Sequence, residues 1–112
     1  MNTSEIVDKI KALVISALKS EQEDRVYLAK NLLLKAYDYT GWRVKWNFMT
    51  VQECMDNDAS RTSCHNAYMD YLNMFLRNEA KYGEVPDISG LDRKTIGDIG
   101  NMLVSEMAIY QR

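Results

Sequence analysis

Residues 28–39 read Leu-Ala-Lys-Asn-Leu-Leu-Leu-Lys-Ala-Tyr-Asp-Tyr. Apolar side chains recur here at steps of three and four residues, the period of one face of an α-helix. The central Leu32-Leu33-Leu34 is apolar on nearly every side, which is typical of a helix buried by more than one neighbour. Ser20-Glu21-Gln22-Glu23 has the form of a capping box before this helix, and Gly41 can end it. We therefore predict a central helix over residues 21–39.

The segments on either side of this helix predict further helices. An apolar face recurs at helical spacing over residues 4–19, where Thr3 or Ser4 can cap the first turn. Thr50-Val51-Gln52-Glu53 has the form of a second capping box, which predicts a short helix over 51–55. Two longer apolar faces predict helices over 61–82 and 92–110. Gly97 and Gly100 lie inside the last of these, which favours the close approach of another helix there.

The segment that follows Gly41 has a different pattern. Trp42-Arg43-Val44-Lys45-Trp46-Asn47-Phe48 alternates apolar and polar residues strictly, which is typical of a β-strand. The two tryptophans also fit a helical stripe, so a helix is the alternative. A strand needs a partner and the chain offers no second good one, so the segment is either helical or extended, or it pairs with another copy of the chain. We favour a non-helical, extended or short-strand connector over 42–48, because the capping box at residues 50–53 follows it directly.

Size and composition fit one folded domain. The chain has 112 residues, 46% of them hydrophobic, which is enough for a single core and too apolar for a disordered chain. The fold class that we predict is mainly α, an irregular bundle of four main helices with the aromatic connector at 42–48. Residues 1–112 form a single helical domain in this prediction.

Charge, cysteine content and hydropathy exclude several classes of protein. The 14 Lys and Arg against 16 Asp and Glu give a net charge of −2, so there is no global attraction to nucleic acid or anionic lipid. No apolar run reaches the roughly 18 residues of a spanning helix, and the first residues lack the basic stretch of a signal peptide. Cys54 and Cys64 fit reduced thiols rather than a disulfide framework. We expect a cytoplasmic protein with no membrane contact.

No motif of a known enzyme or metal site is present. Cys54, Cys64 and His65 supply at most three ligands at unsuitable spacing, so we expect no metal and no cofactor. Glycine-rich phosphate loops and the motifs of serine hydrolases and zinc proteases are absent. Nothing in the sequence therefore points to a specific enzyme.

Polar residues of the second half form a candidate cluster. His65, the single histidine, follows Arg61 by one helical turn. It can serve as a base or a pH-sensitive contact, but we favour a packed, hydrogen-bonded histidine. Asp92 at a helix start is interpreted as a cap. Asp98 lies between two glycines where aspartate has poor helix propensity, and one hypothesis is a buried ion pair with Arg61, Arg77 or Arg93.

The aromatic segment supplies a candidate interface made of Trp42, Arg43, Lys45 and Trp46. Aromatic rings interleaved with basic side chains can stack on bases and contact phosphates. The same residue types concentrate at protein interfaces. Because the chain is slightly acidic overall, we favour a protein interface over nucleic acid.

Residues 61–100 resemble a known protein family. Arg61-Thr62-Ser63-Cys64-His65-Asn66-Ala67, Tyr71-Leu72-Asn73 and Asp92-Arg93-Lys94-Thr95-Ile96-Gly97-Asp98 are similar to a family of small uncharacterised proteins of Gram-positive bacteria, often found in mobile elements. In that family an aromatic residue follows the last string, where this chain has Ile99. The family has no established activity, so the resemblance implies an origin rather than a function. It also implies that Arg61, His65, Asp92, Arg93 and Asp98 form one spatial cluster.

Three functional hypotheses follow. We expect a non-enzymatic protein-interaction module that forms a homodimer or binds another protein, as a regulator or host-interaction factor of a mobile element. The first alternative is a nucleic-acid-binding helical domain with a basic stripe that includes Arg43 and Lys45, whose binding weakens steeply with salt. The second is a small ligand-binding protein or enzyme built around Arg61, His65 and Asp98, which requires a pocket where these groups converge.

Overall fold

The computed structural model describes residues 2–106 of the chain. Over these residues the backbone forms α-helices joined by turns and loops, with no β-strand, and the prediction of a mainly α protein is confirmed. None of the helices in this part of the chain is both long and apolar enough to cross a membrane. The helices are α1 Thr3–Leu18, α2 Glu23–Asn47, α3 Val51–Asp56, α4 Asp58–Glu79 and α5 Arg93–Glu106.

The central helix α2 packs against α4, α5 and α1, and α1 also contacts α5. Of the apolar run Leu32-Leu33-Leu34, Leu32 and Leu33 are buried as predicted, whereas Leu34 is 57% exposed. Gly100 of α5 allows the close approach that the sequence predicts, because a Cβ there would lie 3.3 Å from Cγ2 of Thr40 and 3.4 Å from the hydroxyl oxygen of Tyr68. Fully buried side chains of the core include Ile10, Val14, Leu32, Leu33, Tyr68, Leu72, Phe75, Ile99 and Leu103.

The predicted helix end at Gly41 and the predicted connector over 42–48 are both wrong. The helix α2 continues to Asn47, and Phe48 is its C-cap. Gly41 keeps a negative φ, so the helical hydrogen bonds run through it at a propensity cost of about 1 kcal/mol. A strand would leave the backbone polar groups of 42–48 without partners in this fold, whereas a helix satisfies them within itself. Pairing of 42–48 as a strand with a second copy therefore loses its basis.

The observed helix ends agree with one of the two predicted capping boxes and differ from the other. Thr50 and Glu53 form the predicted capping box, in which each side chain accepts a hydrogen bond from the other residue's backbone N–H. The box predicted at residues 20–23 does not form, because Gln22 is the N-cap of α2 and Ser20 Oγ accepts from the backbone N–H of Gln22. The helix predicted over 61–82 begins and ends three residues earlier, at Asp58 and Glu79. Residues 107–110 of the last predicted helix lie outside the described residues.

A buried ion pair joins the beginning of α2 to the end of α4. Arg25 donates through Nε and Nη2 to the two carboxylate oxygens of Glu79, at 2.8 and 2.7 Å. The Glu79 side chain is 1% exposed, so this carboxylate depends on Arg25 for its charge partner. Arg25 also donates to Ser16 Oγ at 3.0 Å, which ties α1 to the same point.

Candidate functional site

Three helices enclose an open pocket of about 570 Å³. The C-terminal half of α2 forms one side, the first part of α4 another, and α5 closes the third. The α2 residues reach the pocket because the helix continues past Gly41 and returns a side chain to this face every three or four residues. The pocket is lined by Tyr39, Thr40, Trp42, Arg43, Val44, Trp46, Asn47, Arg61, His65, Arg93, Lys94 and Asn101.

The charge of the pocket is entirely basic. Its lining contains four basic side chains and, among the described residues, no carboxylate. Two of the four are balanced from outside the lining: Oδ2 of Asp98 lies 3.1 Å from Lys94 Nζ, and Oδ1 of Asp58 lies 3.1 Å from Arg61 Nη2. No ion pair within residues 2–106 involves Arg43 or Arg93. The pocket therefore concentrates positive charge in a chain whose net charge is −2.

Arg61 is held in place by an aromatic ring and a carboxylate. Its guanidinium carbon lies 4.7 Å from the centre of the Trp46 ring, within the range of a cation–π contact. Its Nη2 donates to Oδ1 of Asp58 at 3.1 Å. Its buried Nε has no hydrogen-bond partner in the described part of the chain. Arg61 therefore has one unsatisfied N–H donor beside the pocket.

Arg43 reaches the pocket across the surface of α5 at Gly97. A Cβ at Gly97 would overlap Nη1 of Arg43 and would lie 3.0 Å from its Nη2. The guanidinium carbon also lies 5.8 Å from the centre of the Tyr39 ring. The Arg43 guanidinium therefore occupies space that is open only because position 97 has no side chain.

An aromatic stack supports the pocket and includes His65. The Tyr39 ring lies 5.3 Å from the His65 ring and stacks on the buried Tyr68 ring at 4.8 Å, measured between ring centres. Tyr68 donates its hydroxyl to the carbonyl oxygen of Ile96 at 2.8 Å, and burial raises its pKa. Burial lowers the pKa of His65, and the positive charges of Arg93 and Arg61 lower it further. His65 is therefore a neutral imidazole at pH 7.

The structure brings together most of the residues that the sequence singles out, and it does so from two separate segments. The interface candidates and the polar cluster candidates meet in one pocket. Those that line it are Trp42, Arg43, Trp46, Arg61, His65 and Arg93.

Three candidates lie outside the pocket lining. Lys45 is exposed on α2, with Nζ 5.0 Å from the centre of the Trp42 ring. Asp92 accepts from the backbone N–H of Thr95 at 2.8 Å, which confirms that it caps the helix. Asp98 pairs with Lys94, one turn before it, and half of its side chain is exposed. The hypothesis that Asp98 forms a buried ion pair with an arginine is therefore wrong.

Sequence reasoning missed half of the lining. The missed residues on α2 could have been found from helical periodicity. If the helix is continued through Gly41, Tyr39 lies one turn before Arg43 on the same face. Lys94 directly follows Arg93 and was visible only as part of the family string. Asn101 carried no signal. The missed residues are Tyr39, Thr40, Val44, Asn47, Lys94 and Asn101.

Other chemistry in the described residues is sparse. Within residues 2–106 no group of three His, Cys, Asp or Glu is arranged to hold a metal ion. Cys54 and Cys64 are both free thiols. The pocket thus offers N–H donors and aromatic rings, with neither a cysteine nor a carboxylate in its described lining.

Comparison with known proteins adds no family to this geometry. No family model matches the chain, and no curated protein or solved structure matches it either. The pocket is therefore interpreted from its own residues.

Proposed function

We propose that this protein is a binding module for a small phosphate-bearing ligand, held in the pocket between α2, α4 and α5. The observation that carries the proposal is the convergence of Arg43, Arg61 and Arg93 on a lining without a carboxylate among the described residues. Arginine presents a planar fork of N–H donors that matches two oxygens of a phosphate.

The electrostatics of the empty pocket support an anionic ligand. Like charges gathered in one place raise the free energy of the folded chain, and a bound anion removes that cost. Arg93 and Lys94 lie in the first turn of α5, at the positive end of the helix dipole, where basic side chains are unfavourable. This placement strengthens the positive potential at the pocket.

The size and the aromatic lining narrow the ligand further. A volume of about 570 Å³ falls within the range of pockets for small organic molecules. Trp42 and Trp46 line the pocket and are only partly buried, so a flat group of the ligand can stack on their rings. A mononucleotide combines a flat base with a phosphate, so it is the ligand class that we favour.

Binding rather than catalysis is the proposed activity. Asp98, one of the three residues suggested for an enzyme, is paired with Lys94 outside the lining. The neutral His65 is the one group in the described lining suited to proton transfer near pH 7, and no serine, cysteine or carboxylate lines the pocket with it.

Calorimetric titration of the full chain tests the proposal. Pyrophosphate and adenosine 5′-monophosphate serve as probes at low salt. Arg43→Gln and Arg93→Gln each remove charge-assisted hydrogen bonds and are expected to weaken binding about 10–100-fold. Arg77→Gln is the matched control, because Arg77 is exposed on the same helix as Arg61 but about 24 Å further along its axis.

Two outcomes would overturn the proposal. One is that neither probe binds at low salt. The other is that Arg77→Gln weakens binding as much as the pocket variants, since this would indicate general surface charge. A single-stranded oligonucleotide is titrated in parallel. If it alone binds, with a steep salt dependence, the protein is a nucleic-acid-binding domain instead.

A further inference from the structure

The solvent-facing side of α2 carries an exposed apolar seam. Leu34, Tyr37, Gly41, Val44 and Phe48 follow one another at steps of three and four residues, which is the spacing of a coiled-coil seam. Tyr27 lies one heptad before Leu34. The apolar side chains among these residues are more than half exposed, and Phe48 is 86% exposed. These six residues are called the outer seam.

We propose that the outer seam packs against the outer seam of a second copy of this chain, with the two α2 helices antiparallel and the two-fold axis near Gly41. Such a contact uses the same surface on both copies. Open space surrounds the position that a Cβ of Gly41 would occupy, so the two backbones can approach closely there. The proposal does not rest on ligand binding, although Val44 belongs to both the seam and the pocket lining.

Charge complementarity selects a second copy as the occupant. Asp38 and Lys45 are exposed and flank the seam on one side, three residues before Gly41 and four after it. Within one helix they lie about 10 Å apart along the axis, too far for an ion pair. In the antiparallel arrangement Asp38 of each copy faces Lys45 of the other. A parallel arrangement in register would instead place these residues of the two copies on opposite sides of the contact, where they could not pair.

A groove beside the seam can receive an aromatic side chain of the second copy. It has a volume of about 890 Å³, and its lining includes Tyr37, Gly41, Trp42 and Val104. In the antiparallel arrangement Phe48 of one copy meets Tyr37 of the other, at the edge of this groove. Phe48 is therefore expected to be the main anchor of the contact.

The available area predicts a weak dimer. Tyr27 lies too far before Gly41 to meet the partner's α2, which ends at Asn47. The exposed fractions of Tyr37 and Phe48 correspond to roughly 220–370 Å² per copy, taking 150–250 Å² for a fully buried aromatic side chain. Even with the aliphatic side chains of the seam, this approaches the lower limit of specific interfaces, about 600 Å² per partner. Association should therefore depend on protein concentration.

Sedimentation equilibrium of charge variants tests the arrangement. Asp38→Lys makes the flank of the seam entirely basic, and Lys45→Asp makes it entirely acidic. Each variant alone is expected to associate at least ten-fold more weakly than the unmodified chain, because like charges then face each other. An equimolar mixture of the two variants is expected to form heterodimers, because every facing pair is again of opposite charge. The double variant Asp38→Lys/Lys45→Asp is expected to dimerise like the unmodified chain.

An anchor variant and its control complete the experiment. Phe48→Ala is expected to weaken association at least ten-fold, whereas Met74→Ala, on an exposed side of α4, leaves it unchanged. An unmodified chain that stays monomeric at about 1 mM overturns the proposal. A mixture of the charge variants that associates no better than either alone also overturns it, since the antiparallel contact requires those charges to meet.

Discussion

Replacing Gly97 with alanine separates the stability of this protein from its proposed ligand binding. The substitution adds a Cβ at the point where the Arg43 guanidinium crosses α5. Nη1 of Arg43 cannot stay where it is, because the new carbon would occupy its place. Arg43 is a long and exposed side chain, so it can move without disturbing the core. The variant is therefore expected to displace one cation from the pocket and to keep the fold.

The substitution is expected to change the stability little and the ligand affinity strongly. Alanine in a helix interior is favoured over glycine by about 1 kcal/mol. The lost contact between Arg43 and Tyr39, whose ring centre is 5.8 Å from the guanidinium carbon, is worth about 0.5–1 kcal/mol at an exposed site. The free energy of unfolding should therefore stay within about 1 kcal/mol of the original value. Binding of pyrophosphate should weaken about 10–100-fold, as for loss of charge-assisted hydrogen bonds.

Urea unfolding and calorimetric titration measure the two quantities on the same samples. Gly100→Ala is the matched control, since its Cβ meets Thr40 and the buried Tyr68 rather than a pocket cation. The Gly100→Ala variant should have a lower free energy of unfolding than Gly97→Ala. It should nevertheless bind pyrophosphate more tightly than Gly97→Ala does. The double variant Gly97→Ala/Arg43→Gln should bind no more weakly than Arg43→Gln alone, because both changes remove the same contact. Full additivity, or unchanged binding by Gly97→Ala, would refute the role given to Arg43.

The remaining predictions concern the fold and the histidine. Arg25→Met leaves the buried Glu79 carboxylate unpaired and should lower the free energy of unfolding by about 3–5 kcal/mol; adding Glu79→Leu should recover most of this in urea titrations, and no recovery would contradict the ion-pair account. Burial and two arginines lower the pKa of His65 in the folded chain below its usual 6.5. As the pH falls through 6.5, His65 is therefore protonated in the unfolded chain before it is protonated in the folded chain. Stability should therefore decline there, and His65→Gln should flatten the pH profile of the urea midpoint; a variant with the same slope would contradict this. Thr50→Ala removes the capping box of α3 and should weaken that helix by about 1 kcal/mol, detected as faster amide exchange in α3 with exchange in α4 unchanged.

The helical periodicity of this chain made most elements predictable. The apolar faces of α1 and α2 are continuous, and the Thr50–Glu53 box marks the start of α3 in the sequence itself. The errors lie where a local signal has two physical outcomes. Gly41 can end a helix or remain in it at a modest cost, and Ser20 can cap a helix or accept from a turn N–H. The surrounding packing, which short sequence windows do not contain, decides between these outcomes.

The site was predictable as two halves but not as one pocket. Arg61, His65 and Arg93 were grouped by a family resemblance, and Trp42, Arg43 and Trp46 by composition. The two groups meet only because α2 packs against both α4 and α5, which are distant in sequence. The role of Gly97 was also out of reach, since the side chain that crosses it comes from another helix. The sequence singled out Asp98 because it lies next to Gly97, but its carboxylate pairs with Lys94 on the same helix.

The continuity of α2 explains why both proposed surfaces exist. Strict alternation over 42–48 resembles a strand, yet the same residues placed on a helix separate onto different sides. Arg43 and Trp46 join Tyr39 at the pocket, whereas Phe48 joins Tyr37 on the outer seam. A helix satisfies the backbone hydrogen bonds of this segment internally, and that outweighs the propensity lost at one glycine. The alternating pattern therefore reflects residues on two faces of one helix rather than a sheet, and this is why it misled a prediction based on periodicity alone.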